Sequence, residues 1–186
     1  MVNEGNKGTL RPGDLQWMTA GRGIVHCEMP GWERARGLQL WVNLASQDKM
    51  VEPSYQELQA DQIPTVSHQG VTVRVIAGNA CQAFTPLSET STGTSMGVSS
   101  PVRTRTPTYY LDFTLRPGAV HLQQVPAGWT TLVYTLEGRI QLGAGQSVRA
   151  HHTVLFSQEG EGIHLENVDD DEARLVMISG EPIGNI

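Results

Sequence analysis

The stretch Ile24-Val25-His26-Cys27-Glu28 places an imidazole and a carboxylate two positions apart. In an extended strand, residues i and i+2 share a face. His26 and Glu28 would then project together, with Val25 and Cys27 on the other side. Neutral imidazole plus carboxylate is a donor set for first-row metals, and open Fe(II) sites often combine two histidines with one carboxylate. Two donors do not complete such a shell, and spacing alone favours a surface or hydrogen-bond-satisfied histidine beside a solvated glutamate.

The remaining chemistry-bearing residues give weaker patterns. His164 and Glu166 repeat the i, i+2 spacing in "IHLEN" without supporting ligands. His121, in "PGAVHLQQVPAGW", lacks a closely spaced second histidine and reads as a surface or hydrogen-bonded side chain. His151 and His152 are adjacent, so a strand would aim them at opposite faces. Cys27 has no evident base beside it and is expected to be a buried, inert thiol. Cys27 and Cys81 are the only cysteines, which makes no disulfide framework and suits a reducing compartment. Arg103 and Arg105 read as solvated cations on a strand edge, or as part of a partner surface. Asp169 to Glu172 reads as a solvated hairpin turn.

The elements that must position these groups are short. Leu38 to Leu44, Val71 to Ala77, Tyr109 to Leu115, Thr130 to Leu136, Arg139 to Leu142, Thr153 to Phe156 and Ala173 to Ser179 are β-rich runs, separated by Gly and Pro turns. This pattern predicts an all-β sandwich or barrel. One helix is expected near Pro53 to Ala60, where Pro53 and Ser54 could start it. His68 to Gly70 reads as a linker between two β units. Each unit carries an Arg-Pro-Gly turn before a strand, at Arg11 to Gly13 and Arg116 to Gly118, which suggests a duplicated module. Asn79 to Thr94 is Ser/Thr-rich and aperiodic, and reads as an exposed inserted loop.

With 186 residues, 39% hydrophobic and 17% charged, the composition is globular. The net charge of -6 and the lack of a Lys/Arg run exclude a phosphate-binding footprint, so direct DNA binding is not expected. No signal peptide and no membrane-length apolar run is present, so a soluble intracellular protein is expected.

"RPGDLQWMTAGRGIVHCEMP", "GLQLWVNL", "MVEPSYQEL", "SPVRTRTPTYYLDFTL", "PAGWTTLVYTLEGRIQLG", "HHTVLF" and "LVMISGEPIG" occur in this order, and together they resemble the pirin family of the cupin superfamily. The resemblance runs through nearly the whole chain. It implies an all-β bicupin: residues 1–66 as the C-terminal part of a metal-site cupin, and residues 67–186 as a largely complete second cupin carrying the insert at about 79–94. It also implies one iron, Fe(II) or Fe(III), held by three histidines and a glutamate in the first cupin.

Carried over residue by residue, His26 and Glu28 match two of the four iron ligands, and Gln39 matches a pocket-lining residue. The other two ligands belong to a "HPHRG" motif upstream of "PGDLQW" in the family, and this chain begins after it. The iron site is therefore expected to be incomplete and its occupancy low. The short start, the insert and the early stop suggest a splice form or an imperfect gene model. The function implied is that of a co-regulator in nucleus and cytoplasm, with NF-κB-type transcription factors and an ankyrin-repeat co-regulator as partners. The alternative is a quercetin 2,3-dioxygenase-type oxidoreductase, with a flavonol ligand and Glu28 as ligand and catalytic base. A non-functional fragment is the third reading.

Overall fold

The structure is a computed structural model and describes residues 7–31, 34–80, 97–143 and 145–184. The chain is all-β and divides into two compact units, Met1–Ala60 with Ile183–Ile186, and Asp61–Pro182.

In the first unit, β1 (Leu15–Thr19) and β2 (Ser54–Leu58) form a two-stranded antiparallel sheet. Trp17 stands opposite Gln56 and Met18 opposite Tyr55. The helix expected at Pro53 to Ala60 is therefore a strand. Pro53 biases the residue before it toward extended backbone, and cross-strand partners outweigh the local helical preference of Gln56, Glu57 and Leu58. The run Leu38 to Leu44 keeps its period of two, with Leu40, Val42 and Leu44 half-buried and Trp41 and Asn43 exposed, yet it joins no ladder among the described residues. Trp41 is 85% exposed and Met29 81%.

The second unit holds, in chain order, β3 (Thr65–His68), β4 (Val71–Ala77), β5 (Asn79–Ala80), β6 (Val98–Ser99), β7 (Thr108–Leu115), β8 (Val120–Gln124), β9 (Thr130–Glu137), β10 (Arg139–Leu142), β11 (Gln146–Arg149), β12 (Thr153–Leu155), β13 (Gly162–Asn167) and β14 (Ala173–Gly180). Six of them form one antiparallel sheet in the order β12-β9-β14-β7-β4-β3, and four form another in the order β11-β10-β13-β8. β5 pairs with β6. Most of the inserted loop expected at Asn79 to Thr94, with Cys81, lies outside the described residues.

Strict alternation builds the core. Val71, Val73, Val75 and Ala77 of β4 are buried in turn, with half-buried residues between them. Across the larger sheet, Val73, Phe113, Leu175 and Thr135 stand in one row. Ile140, Leu142, Ile163 and Leu165 complete the core from the smaller sheet. Each fully buried large apolar side chain contributes about 1.5–3 kcal/mol.

Several connections differ from their sequence reading. His68 pairs with Val71, so Gln69 (φ 44°) and Gly70 (φ 83°) form a tight hairpin turn rather than a linker. Two consecutive positive φ values match the right-handed strand twist, and Gly takes the second of them without strain. Asp169 to Glu172 joins β13 in one sheet to β14 in the other, so it is an inter-sheet connection and not a hairpin. The two Arg-Pro-Gly stretches do form equivalent turns. The Asp14 N–H donates to the Arg11 carbonyl and the Ala119 N–H to the Arg116 carbonyl, each at 3.0 Å. In both, glycine has positive φ, and a strand follows directly. At Gly138 (φ 74°), between β9 and β10, any Cβ would fall 2.8 Å from the Cβ of Ala173, so only glycine fits.

Candidate functional site

His26, Cys27 and Glu28 lie in irregular chain, not in the expected strand. Among the described residues, no ladder partner holds Ile24 to Glu28 extended in a sheet. The two donors nevertheless converge, with His26 Nε2 3.7 Å from Glu28 Oε1. That is longer than a hydrogen bond. It is within the span of about 4.2 Å that two metal–donor bonds of about 2.1 Å can bridge. The side chains are 40% and 58% exposed, so water reaches both.

Among the described residues, no group of three or more His, Cys, Asp or Glu is gathered that could hold a metal. The pair thus offers two donors, and the described residues do not fit a closed iron centre. Gln39 is exposed in irregular chain. Cys27 is exposed, contrary to the buried thiol expected, because no sheet forms there for its side chain to pack behind.

The second unit buries several polar side chains beside its apolar core, which spacing alone did not signal. His121 and Gln123 point inward from β8 and are 2% and 0% exposed. In the smaller sheet they stand opposite Leu165 and Ile163. His121 Nε2 lies 3.3 Å from Gln123 Oε1, and the Gln123 amide donates to the Gln124 carbonyl at 2.8 Å. Burial pushes the His121 pKa below its ordinary value, and the Gln123 contact offsets only part of this. The buried hydroxyls of Thr131 and Ser179 bond each other at 2.7 Å. Thus, of the two readings, the hydrogen-bonded one holds for His121 and the surface one does not. The surface reading missed that the alternation of β8, with Val120, Leu122 and Gln124 outward, forces positions 121 and 123 inside.

His164 and Glu166 alternate with the buried Ile163, Leu165 and Asn167 and so face away from the core. His151, at φ 66°, and His152 sit at the turn before β12. His152 Nδ1 approaches the carbonyls of Arg149 and Ala150 at 3.2 and 3.0 Å. Arg103 and Arg105 are in irregular chain ahead of β7, not on a strand edge.

Two facing antiparallel sheets, with Phe113 of one against His121 of the other, make the second unit a β-barrel of cupin type. Residues 110–186 match the Pirin C-terminal cupin domain, and residues 3–42 match Pirin. The chain belongs to the pirin family. It is 50% identical over 183 residues to Pirin of Homo sapiens, covering 96% of this chain and 58% of that protein. It is 46% identical to Pirin-like protein 2 of Arabidopsis thaliana, over 97% of this chain and 54% of that one. The chain thus spans rather more than half the length of these relatives.

Among solved structures, a protein of Geobacillus kaustophilus is similar with TM-score 0.78 and 33% identity, over 99% of this chain and 70% of that one. A quercetin 2,3-dioxygenase of Acinetobacter baumannii is similar with TM-score 0.72 and 28% identity, over 95% of this chain and 58% of that one. No helix among the described residues is long and apolar enough to cross a membrane.

Proposed function

We propose that the chain acts as a pirin-type co-regulator in the nucleus and cytoplasm, binding NF-κB-type transcription factors and an ankyrin-repeat co-regulator. In this reading His26 and Glu28 are two of the four donors of an iron site. The convergence of these two side chains to 3.7 Å, inside the stretch that matches Pirin, carries the reading. The net charge of -6 agrees with contact to proteins rather than to DNA phosphates. Half a shell binds iron weakly, because water must fill the remaining positions and no closed chelate forms.

The test has two arms. The purified chain, loaded anaerobically with Fe(II) and desalted, should retain far less than one iron per molecule. An immobilised Rel-homology domain should retain the chain from solution, and failure to do so would remove the co-regulator reading.

A second reading is oxidation of a flavonol by a quercetin 2,3-dioxygenase-type activity. The likeness to the Acinetobacter baumannii enzyme favours it. Glu28 would then stand beside the ligand as base. Loss of the quercetin absorption band with this chain and added Fe(II), abolished by Glu28→Gln, would support this second reading over the first.

A further inference from the structure

The second unit carries a cleft of about 60 Å³ at one end of its interior. It lies where the end of β8, the turn into β9, the stretch after β12 and the start of β13 meet. Val125, Pro126, Trp129, Phe156 and Ile163 supply apolar and aromatic walls. The Trp129 ring rests against Tyr109 with centroids 5.0 Å apart and planes tilted by 56°, which holds the indole without stacking over it. Thr131 lies at the inner end, and its hydroxyl is committed to Ser179. Gln158 at the rim donates to the Thr130 hydroxyl at 3.0 Å, which ties the stretch after β12 to β9.

The charge of the lining is one-sided. Glu159 is its one ionisable group, and no Lys, Arg or His lines the cleft. Phosphates and carboxylates are therefore poor occupants, since nothing there would balance them. Chelation of a metal needs more donors than one carboxylate. An aromatic wall with a carboxylate at its rim instead suits an organic cation, because the faces of Trp and Phe attract positive charge through their quadrupoles. The volume exceeds the roughly 30 Å³ share of one water, and the cleft opens to solvent, so it bounds one side of an occupant without enclosing it. It takes a head group while the rest of the ligand stays in solvent.

We propose that this cleft, between Trp129, Phe156 and Glu159, binds the methylated-ammonium head of a small organic cation.

Nitrogen-edited NMR of the full chain, titrated with choline chloride, tests this. The Trp129 indole and the amides of Gly160 and Gly162 should shift saturably. The neutral isostere 3,3-dimethylbutan-1-ol should need about tenfold higher concentration for the same shifts. Glu159→Gln, at an exposed position, should weaken choline about threefold and leave the thermal midpoint unchanged. Trp129→Leu should abolish the response in a sample whose remaining spectrum shows a folded barrel. Equal binding of the neutral isostere, binding of acetate at the same amides, or no saturable shift with choline up to tens of millimolar would each overturn the proposal.

Discussion

The imidazole of His121 packs against the ring of Phe113 with centroids 5.2 Å apart and planes tilted by 51°, a contact between the two sheets of the barrel. Charging that imidazole means placing a cation in an apolar interior, and its folded-state pKa is accordingly depressed, burial being the main cause. The unfolded chain, with a histidine near 6.5, therefore takes up the proton first as pH falls. The stability His121 confers is fully present above about pH 6.5 and is lost as pH drops toward the depressed folded value. One such group changes stability by at most about 1.4 kcal/mol per pH unit. Thermal midpoints measured from pH 7 to pH 5 should fall more steeply for the parent than for His121→Leu. Identical slopes would show that the imidazole does not couple to folding.

His26→Ala with Glu28→Ala should leave stability within about 0.5 kcal/mol of the parent, because both side chains are exposed to water and neither belongs to the core. The same double change should lower whatever Co(II) or Fe(II) the chain holds at equilibrium dialysis. Unchanged metal uptake would place the donors elsewhere.

Asp112 sits nearly buried on β7 between two guanidinium groups, 3.1 Å from Arg174 and 3.6 Å from Arg74. Asp112→Asn keeps the shape and removes the charge both arginines face. A loss of about 1–3 kcal/mol is expected, since the arginines would stay partly desolvated with a weaker acceptor. Urea denaturation should show a lower midpoint at an unchanged slope. An unaltered midpoint would mean that solvent screens the cluster fully.

Native-state hydrogen exchange should separate the two units. A two-stranded ribbon is marginal in water, whereas β7, β9 and β14 lie inside a six-stranded sheet. Amides of Leu111, Phe113, Val133 and Leu175 should exchange slowest, and those of residues 7–60 fastest. The reverse order would place the stable folding unit in the first sixty residues.

The barrel was readable where burial follows a period of two. Val71 to Ala77 and Arg139 to Leu142 are strands with the bounds their sequence suggested, because both are rich in β-branched or long apolar residues and closed by turns. Reading failed where a residue's partner is distant in sequence. Tyr55 to Leu58 carries helix-favouring side chains, and only pairing with Leu15 to Met18 makes it a strand. The burial of His121 was missed because β8 turns its apolar Val120 and Leu122 outward and its polar His121 and Gln123 inward, the reverse of the usual pattern. The metal pair was legible as spacing. So was its exposure; what the letters did not show is that the stretch is irregular chain and not a strand, since strand formation depends on a partner distant in sequence. The cleft was illegible for the same reason: Trp129 and Phe156 come from different turns, and nothing local links them.

The outermost strands of the two barrel sheets are brief: β3 has four residues, β12 three, β11 four and β8 five. A lateral recruit would find too few free amides and carbonyls on any rim to dock a full-length strand. The barrel is thus poorly suited to seed fibrils, and in concentrated solution it should remain dispersed where a longer border would invite stacking.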